Sequence, residues 1–514
     1  MEKLYNFNFP LYLILYLLGG VATFSLPPFS IVPSIFILGF GIYIVSKLKA
    51  FKKSFFAGFF LGFGWFSFGL YWIGSAFLVN DTYEIYFMPL GVLILPSILA
   101  LFWATAFLVA KFIGNKLGNS ILTIIVVLSL SEYMRSNIFT GFPWLMPSMI
   151  LSSSENLIQI FSFIGSYTSN LLVFIVCVFP FILYKNIKNK YLIILPICIP
   201  IFILLFASFY RSNNRENLKI QNQPLITIVQ PNIKQKAKWD LLKRTSHIET
   251  LVKLSTQKSI EYINTNRIII WPETSFEGVI PKDLDLISNI TNDIINNTNT
   301  SLIIGTLSLE NKNLFNSLIY INSLGNLEYK YDKIHLVPFG EYIPFISFIK
   351  SFGFMKNQRD FSSGIMNKSF KISKIGDVMP LICYEVLFSE EVRNRLSNNT
   401  KLIINITNDA WFGDTSGPHQ HLALAKIRAV EFGIPLVRVA NTGISAFISP
   451  YGKEILRIPL NTKDVRTTKL LSALDMTMYR KYGDYIFIIS IIFILLINNF
   501  HLITKNKEVF KNEE

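Results

Sequence analysis

The chain has 514 residues, 51% of them hydrophobic and 15% aromatic, with only 16% charged and a mean hydropathy of +0.43. Soluble globular chains carry about 25% charge, so this composition argues against a wholly water-soluble protein; it excludes disorder, which goes with few apolar residues and many charges. The 48 Lys+Arg against 33 Asp+Glu leave a net charge of +15, an excess that suggests nucleic acid, anionic lipid or membrane topology.

Residues 1–210 hold a succession of apolar runs, most of them long enough to cross about 30 Å of hydrocarbon. Spans are expected near 10–26, 29–46, 54–78, 87–110, 120–134, 158–184 and 191–209, with an eighth near 485–503. Pro27-Pro28 breaks the first pair into a helical hairpin, because proline cannot continue a helix. No small-residue cleavage site marks the N-terminus as a removable signal peptide. Glu132 and Arg135 lie one turn apart at the end of the fifth span; facing lipid they would be costly, so they pair with each other or face the outer domain.

Alternate connections carry the lysines: Lys3; Lys47, Lys49, Lys52 and Lys53; Lys111 and Lys116; Lys185, Lys188 and Lys190; Lys505, Lys507 and Lys511. The opposite short connections have none, and Arg135 is their single arginine. The positive-inside rule then puts both termini in the cytoplasm. These thirteen lysines stand against Glu2, Glu508, Glu513 and Glu514. That share of the charge excess is topology and needs no nucleic-acid partner. The expected organisation is a seven-helix membrane domain over 1–210, a large outer domain over 211–484 on the far face, which in a bacterium is the periplasmic one, and an eighth helix with a cytoplasmic tail over 485–514.

The outer segment alternates short β-type runs with polar, Asn-rich stretches. The runs are Leu225–Val229, Arg267–Ile270, Leu302–Leu307, Val378–Ile382, Leu402–Ile406, Leu436–Val439 and Ala446–Ser449. Connections at 239–264, 281–298 and 415–432 are long enough for helices. This alternation predicts an α/β domain of sheets covered by helices.

Three segments put polar residues directly after such strands. Ile268–Ile270 leads into Trp271-Pro272-Glu273-Thr274, a carboxylate at a strand end, where open α/β folds place their sites. Tyr331-Asp332-Lys333-Ile334-His335 runs on to Pro338-Phe339-Gly340-Glu341-Tyr342, which offers a cation able to stabilise a thiolate or an oxyanion. Pro380-Leu381-Ile382 ends in Cys383-Tyr384-Glu385. Of the three cysteines, Cys177 and Cys198 fall within spans, so Cys383 is the lone thiol of the outer domain. Taken singly, each segment also reads as ordinary surface or core.

Glu273, Lys333 and Cys383, in this order after successive strands, resemble the Glu–Lys–Cys triad of the nitrilase superfamily. With eight spans around them, and with Gly141-Phe142-Pro143-Trp144-Leu145 between spans five and six, the chain resembles the apolipoprotein N-acyltransferase family. The resemblance covers nearly the whole chain and implies an α-β-β-α sandwich. By it Glu273 is the general base, Lys333 the catalytic lysine and Cys383 the nucleophile. Glu341, Tyr384 and Glu385 match supporting residues, and Trp239 matches a tryptophan on a mobile substrate-binding loop. The implied reaction moves an acyl chain from a phospholipid, for instance phosphatidylethanolamine, through a Cys383 thioester to the α-amino group of a diacylglyceryl-cysteine apolipoprotein. It needs no metal or nucleotide cofactor.

His419-Gln420-His421 makes a weak metal motif without a third ligand. Asn408–Gly413 and Arg438–Gly443 read as strand-end loops with a structural or a pocket-lining role. Two other functions compete: a membrane-anchored nitrilase-type amidohydrolase, and a transporter. The second would place charged or helix-breaking residues deep in several spans, which here are nearly free of charge.

Overall fold

A computed structural model describes residues 9–79, 83–117, 121–184, 191–213, 220–257, 265–295, 299–342, 360–365 and 369–511. The chain forms two compact units. One comprises Met1–Arg215, Thr415–Ala423 and Met476–Glu514; the other comprises Glu216–Asp414 and Leu424–Asp475.

The first unit is helical. Ile85–Gly114, Ile121–Thr140, Leu157–Leu183 and Ile194–Asn213 are each long and apolar enough to cross a membrane. Phe51–Gly69 and Tyr71–Leu78 pass as a pair bent by 46°, and Phe9–Ser25, Val32–Ser46 and Tyr485–Asn498 are shorter apolar helices. Among the described residues four helices, or five with the bent pair, are long and apolar enough to span, and the three shorter ones overlap the expected runs at 10–26, 29–46 and 485–503. The expected span 54–78 is thus broken at Leu70. Gly69 can no longer use its carbonyl within a continuing helix, and Gln420 Nε2 donates to it at 3.3 Å. Gln420 also accepts from two indoles, Trp72 Nε1 at 3.1 Å and Trp144 Nε1 at 2.9 Å. The middle residue of the His-Gln-His motif therefore satisfies three buried polar groups. Helices Phe9–Ala22 and Phe51–Gly69 meet backbone to backbone, since a Cβ on Gly64 would lie 1.9 Å from the Tyr16 carbonyl oxygen. Small residues permit such close approach.

Glu132 and Arg135 pair with each other, Nη2 to Oε2 at 2.6 Å, with both side chains fully buried. Trp103 Nε1 donates to Glu132 Oε1 at 2.8 Å. The guanidinium also donates to the carbonyls of Phe142 and Trp144. A buried charge is tolerable only when paired and hydrogen-bonded, and this pair meets both conditions while fixing the Gly141–Leu145 turn.

The second unit is built on two sheets. In the first the order is β13-β1-β2-β4-β5-β6, with β3 beside β4. Here β1 is Ile220–Gln230, β2 Arg267–Ile270, β3 Val279–Ile280, β4 Thr300–Glu310, β5 Asn313–Ile321, β6 Leu327–Asp332 and β13 Asp464–Leu471. The second sheet runs β12-β11-β10-β9-β8-β7, with β7 Phe370–Ile372, β8 Gly376–Ile382, β9 Thr400–Thr407, β10 Leu436–Ala440, β11 Ser445–Ile448 and β12 Glu454–Ile458. Strands β1, β2 and β4 are parallel, as are β8, β9 and β10.

Alternation along the strands decides the layers. Ile226, Ile228, Ile268, Ile270 and Ile303 of the first sheet pack with Val378, Ile382, Leu402, Ile404, Val437 and Val439 of the second. The opposite face of the first sheet, including Ile269, Leu302 and Ile304, packs on Leu251 and Leu254 of helix Arg244–Thr256 and on Ile287, Ile290 and Ile294 of helix Leu284–Ile295. The seven expected β runs all fall on strands, although Ser449 lies one residue beyond β11. The three expected helices appear as Arg244–Thr256, Leu284–Ile295 and Ser416–Phe432; residues 258–264 and 296–298 lie outside the described residues. Strands β5 and β6 escape the pattern because polar residues such as Asn316, Ser317, Glu328 and Lys330 interrupt their apolar ones.

Candidate active site

Strand β2 of the first sheet ends at Ile270, three residues before Glu273, and β8 of the second ends at Ile382, just before Cys383, so a carboxylate and a thiol stand beyond the carboxyl ends of strands in two facing sheets. Cys383 follows β8 directly, in the left-handed region at φ 52°. Its carbonyl accepts from Asn405 Nδ2 at 3.3 Å. Glu273 sits in a tight turn that the neighbouring strand must approach closely. A Cβ on Gly305 of β4 would lie 2.7 Å from Glu273 Cα, so glycine is required there.

Lys333 leaves β6 and is almost wholly buried. Its Nζ lies 2.8 Å from Glu341 Oε1 and 3.7 Å from Glu273 Oε1, and its backbone N–H donates to the Asn316 carbonyl at 2.8 Å. Asn316, on β5, completes the group: its Nδ2 donates to Glu273 Oε1 at 2.7 Å and to Glu341 Oε1 at 3.1 Å. Glu341 Oε2 in turn accepts from the Val337 N–H at 2.8 Å. The structure thus brings Glu273, Lys333 and Glu341 together around an asparagine that the sequence reading passed over.

Glu385 has a different part. Its Oε1 accepts from Tyr331 Oη at 2.6 Å and from the N–H groups of Ile334 at 2.8 Å and His335 at 3.3 Å. Its Oε2 accepts from the Ile382 N–H at 2.6 Å. One buried carboxylate therefore ties the segment carrying Lys333 to the strand end carrying Cys383. Tyr384 packs its ring against His335 and Phe388. Trp239 stands apart: it is half exposed at φ 75°, beside the exposed Leu241 and Leu242. The residue before it, Lys238, is the one that turns inward. Its buried Nζ donates to Thr274 Oγ1 at 2.6 Å and to the Glu273 carbonyl at 3.3 Å.

The two loops beyond β9 and β10 are locked by a buried ion pair, Arg438 Nη2 to Asp409 Oδ2 at 2.6 Å. Arg438 Nη1 also donates to Asn405 Oδ1 at 2.8 Å, and Thr407 Oγ1 donates to Asp409 Oδ1 at 3.1 Å. Through Asn405, whose Nδ2 donates to the Cys383 carbonyl, this network reaches the turn that carries the thiol.

Burial pushes the Cys383 thiol up to about 12; Glu273 and Asp409 add to the rise, while Lys333 and a hydrogen bond from Thr407 oppose it. The resting group is therefore a thiol that needs a base. Burial also raises Glu273 above the ordinary carboxylate range, against the pull of Lys333, Asn316 and Lys238, which suits a general base better than a free carboxylate. For Lys333 burial acts downward, but Glu341, Glu273 and Cys383 together hold it above the ordinary lysine value. It is a fixed cation. The arrangement offers a thiol, a base and a preorganised positive charge, the components of acyl transfer through a covalent intermediate.

Residues 225–474 match the family model for carbon-nitrogen hydrolase, and residues 18–179 match that for the apolipoprotein N-acyltransferase N-terminal domain. Three relatives called apolipoprotein N-acyltransferase are similar along nearly their whole length. That of Rhodopseudomonas palustris is 30% identical, covering 91% of each chain. That of Brucella suis is 32% identical, covering 90% of each. The relative from Rickettsia prowazekii is 31% identical over 95% of this chain and 97% of its own. With a carbon-nitrogen hydrolase unit and an apolar helical unit in one chain, this protein belongs to the apolipoprotein N-acyltransferase family of enzymes.

Proposed function

We propose that the protein transfers an acyl chain from a phospholipid to the N-terminal α-amino group of diacylglyceryl-cysteine in apolipoproteins, through a thioester on Cys383. The observation that carries the reading is the clustering of Glu273, Lys333 and Glu341 at the strand ends that also present Cys383, in a chain of this family.

In the first half-reaction Glu273 takes the Cys383 proton and the sulfur attacks the ester carbonyl carbon. Lys333 and a backbone N–H beside Cys383 stabilise the oxyanion; one such donor is typically worth about 10²–10³ in rate. The C–O bond breaks, the Glu273 proton passes to the departing oxygen, and a lysophospholipid leaves. In the second, the neutral α-amino group attacks the thioester and Glu273 accepts its proton. The C–S bond breaks, and the sulfur recovers the proton. Glu341 holds Lys333 in place, Tyr384 and Glu385 hold the nucleophile turn, and Trp239 with Leu241 and Leu242 meets the lipid.

The apolar helices support an assignment as eight membrane spans, with 1–210 and 485–514 in the inner membrane, residues 211–484 facing the periplasm and both termini cytoplasmic. Phosphatidylethanolamine is the proposed donor. The test is to incubate the purified full chain with acyl-labelled phosphatidylethanolamine and map the label. We expect a hydroxylamine-sensitive adduct on Cys383 that moves to a diacylated peptide when one is added. Label on Cys383→Ala, or no transfer to the amine, would refute the reading.

A further inference from the structure

Lys333 is committed before any thiolate forms. Its ammonium lies 2.8 Å from Glu341 and 3.7 Å from Glu273, so these three groups alone carry one negative charge in excess when both carboxylates are ionised. When Glu273 takes the Cys383 proton that excess charge moves onto the sulfur and then the oxyanion, where it stays out of water without a cation of its own among these three groups.

A second cation is present. Lys238 is buried, and the oxygens it bonds are neutral: Thr274 Oγ1 at 2.6 Å and the carbonyl of Glu273 itself at 3.3 Å. The titratable groups whose charge it feels are Glu273, Glu277 and Cys383. Glu277 is already engaged by His247 Nδ1 at 2.7 Å. Taking the reading of Cys383 as nucleophile, we propose that Lys238 is a positioning residue and second working cation of the site: bound to the backbone of the base, it makes the set Glu273, Glu341, Lys333 and Lys238 electrically neutral and lowers the cost of the Cys383 thiolate and of the oxyanion that succeeds it. No atom is transferred by Lys238 in this role. Burial brings its ammonium down to about 8, against the attraction of Glu273, Glu277 and Cys383, so its charge fades within an accessible pH range. That gives the role a signature of its own.

The experiment measures the rate of Cys383 alkylation by iodoacetamide against pH, in the full chain in detergent with Cys177 and Cys198 replaced by alanine. No lipid is required. If the wild-type thiol alkylates normally yet never takes an acyl label, the acyl-transfer reading fails and this test still stands. Lys238→Met and Lys238→Gln should alkylate about tenfold more slowly below pH 8, the effect of losing a neighbouring cation that shifts a thiol by about one unit. The deficit should shrink above that pH, where the wild-type lysine loses its proton. Lys238→Arg should stay within about threefold of wild type, because the charge is kept. Wild-type rates in a folded neutral variant, or a deficit equal at every pH, would overturn the proposal. So would failure of both neutral variants to fold, which would make Lys238 a structural residue only.

Discussion

The side-chain amide of Asn316 donates to Glu273 Oε1 at 2.7 Å from the strand whose backbone carbonyl holds the Lys333 N–H. The same nitrogen reaches Glu341 Oε1 at 3.1 Å. A single amide therefore separates two carboxylates that would otherwise face each other across one lysine. Asn316→Ala should slow thioester formation about 10- to 100-fold, in line with losing hydrogen bonds to charged groups worth about 1.5–3 kcal/mol each. Asn316→Asp should be worse, because a third carboxylate raises the proton affinity of Glu273 further. Single-turnover labelling of Cys383 measures both.

Glu385 accepts four hydrogen bonds around the Cys383 turn. Glu385→Gln places an amide where several N–H groups converge, so donor meets donor. The thermal midpoint in detergent should fall, and Cys383 acylation should fall with it. Tyr331→Phe removes one of the four bonds and should cost about 1–3 kcal/mol while leaving most of the activity.

The acylation rate should rise with pH across and beyond the ordinary carboxylate range, because Glu273, as the proposed base, must be ionised to act and its pKa is raised by burial. Linkage runs in the opposite direction. The folded state holds this proton more tightly than the unfolded chain, so the stability Glu273 contributes is full below its ordinary value and is lost as pH rises through the raised one. A rate–pH profile of Cys383 labelling shows the first effect, and Glu273→Gln should flatten it at a low rate.

Breaking one side of the Glu132–Arg135 pair leaves a charge buried without its partner. Glu132→Gln or Arg135→Met should each destabilise the helical unit by about 3–5 kcal/mol. The double substitution should recover much of the loss. Thermal unfolding of the four proteins in one detergent tests the cycle.

The strand ends that bear Glu273 and Cys383 could be read because the preceding Ile268–Ile270 and Leu381-Ile382 are plainly buried β runs. Lys333 was legible through its motif. Asn316 was not: a polar residue within a strand normally reads as the solvent-facing half of an alternation, and its two carboxylate partners arrive from segments 43 residues before it and 25 after. Lys238 is hidden by its neighbours, since Lys234, Lys236 and Lys243 make the stretch look like a solvated basic loop. Glu385 resembles a supporting residue of the family, but its four acceptor bonds around the Cys383 turn come from residues far apart in sequence and leave no pattern to read. The bend between Phe51–Gly69 and Tyr71–Leu78 left no trace in hydropathy, because the apolar run continues unbroken through Leu70.

Cys383 holds a left-handed backbone at φ 52°, a conformation that costs an ordinary L-residue about 1–2 kcal/mol. With Cys383 as the proposed nucleophile, stability and reactivity pull in opposite directions at one position. Of two dead enzymes, Cys383→Gly should tolerate heating better than Cys383→Ala, since glycine alone occupies that region without penalty. The glycine form would then be a sturdier decoy, suited to holding both lipids in place without consuming either.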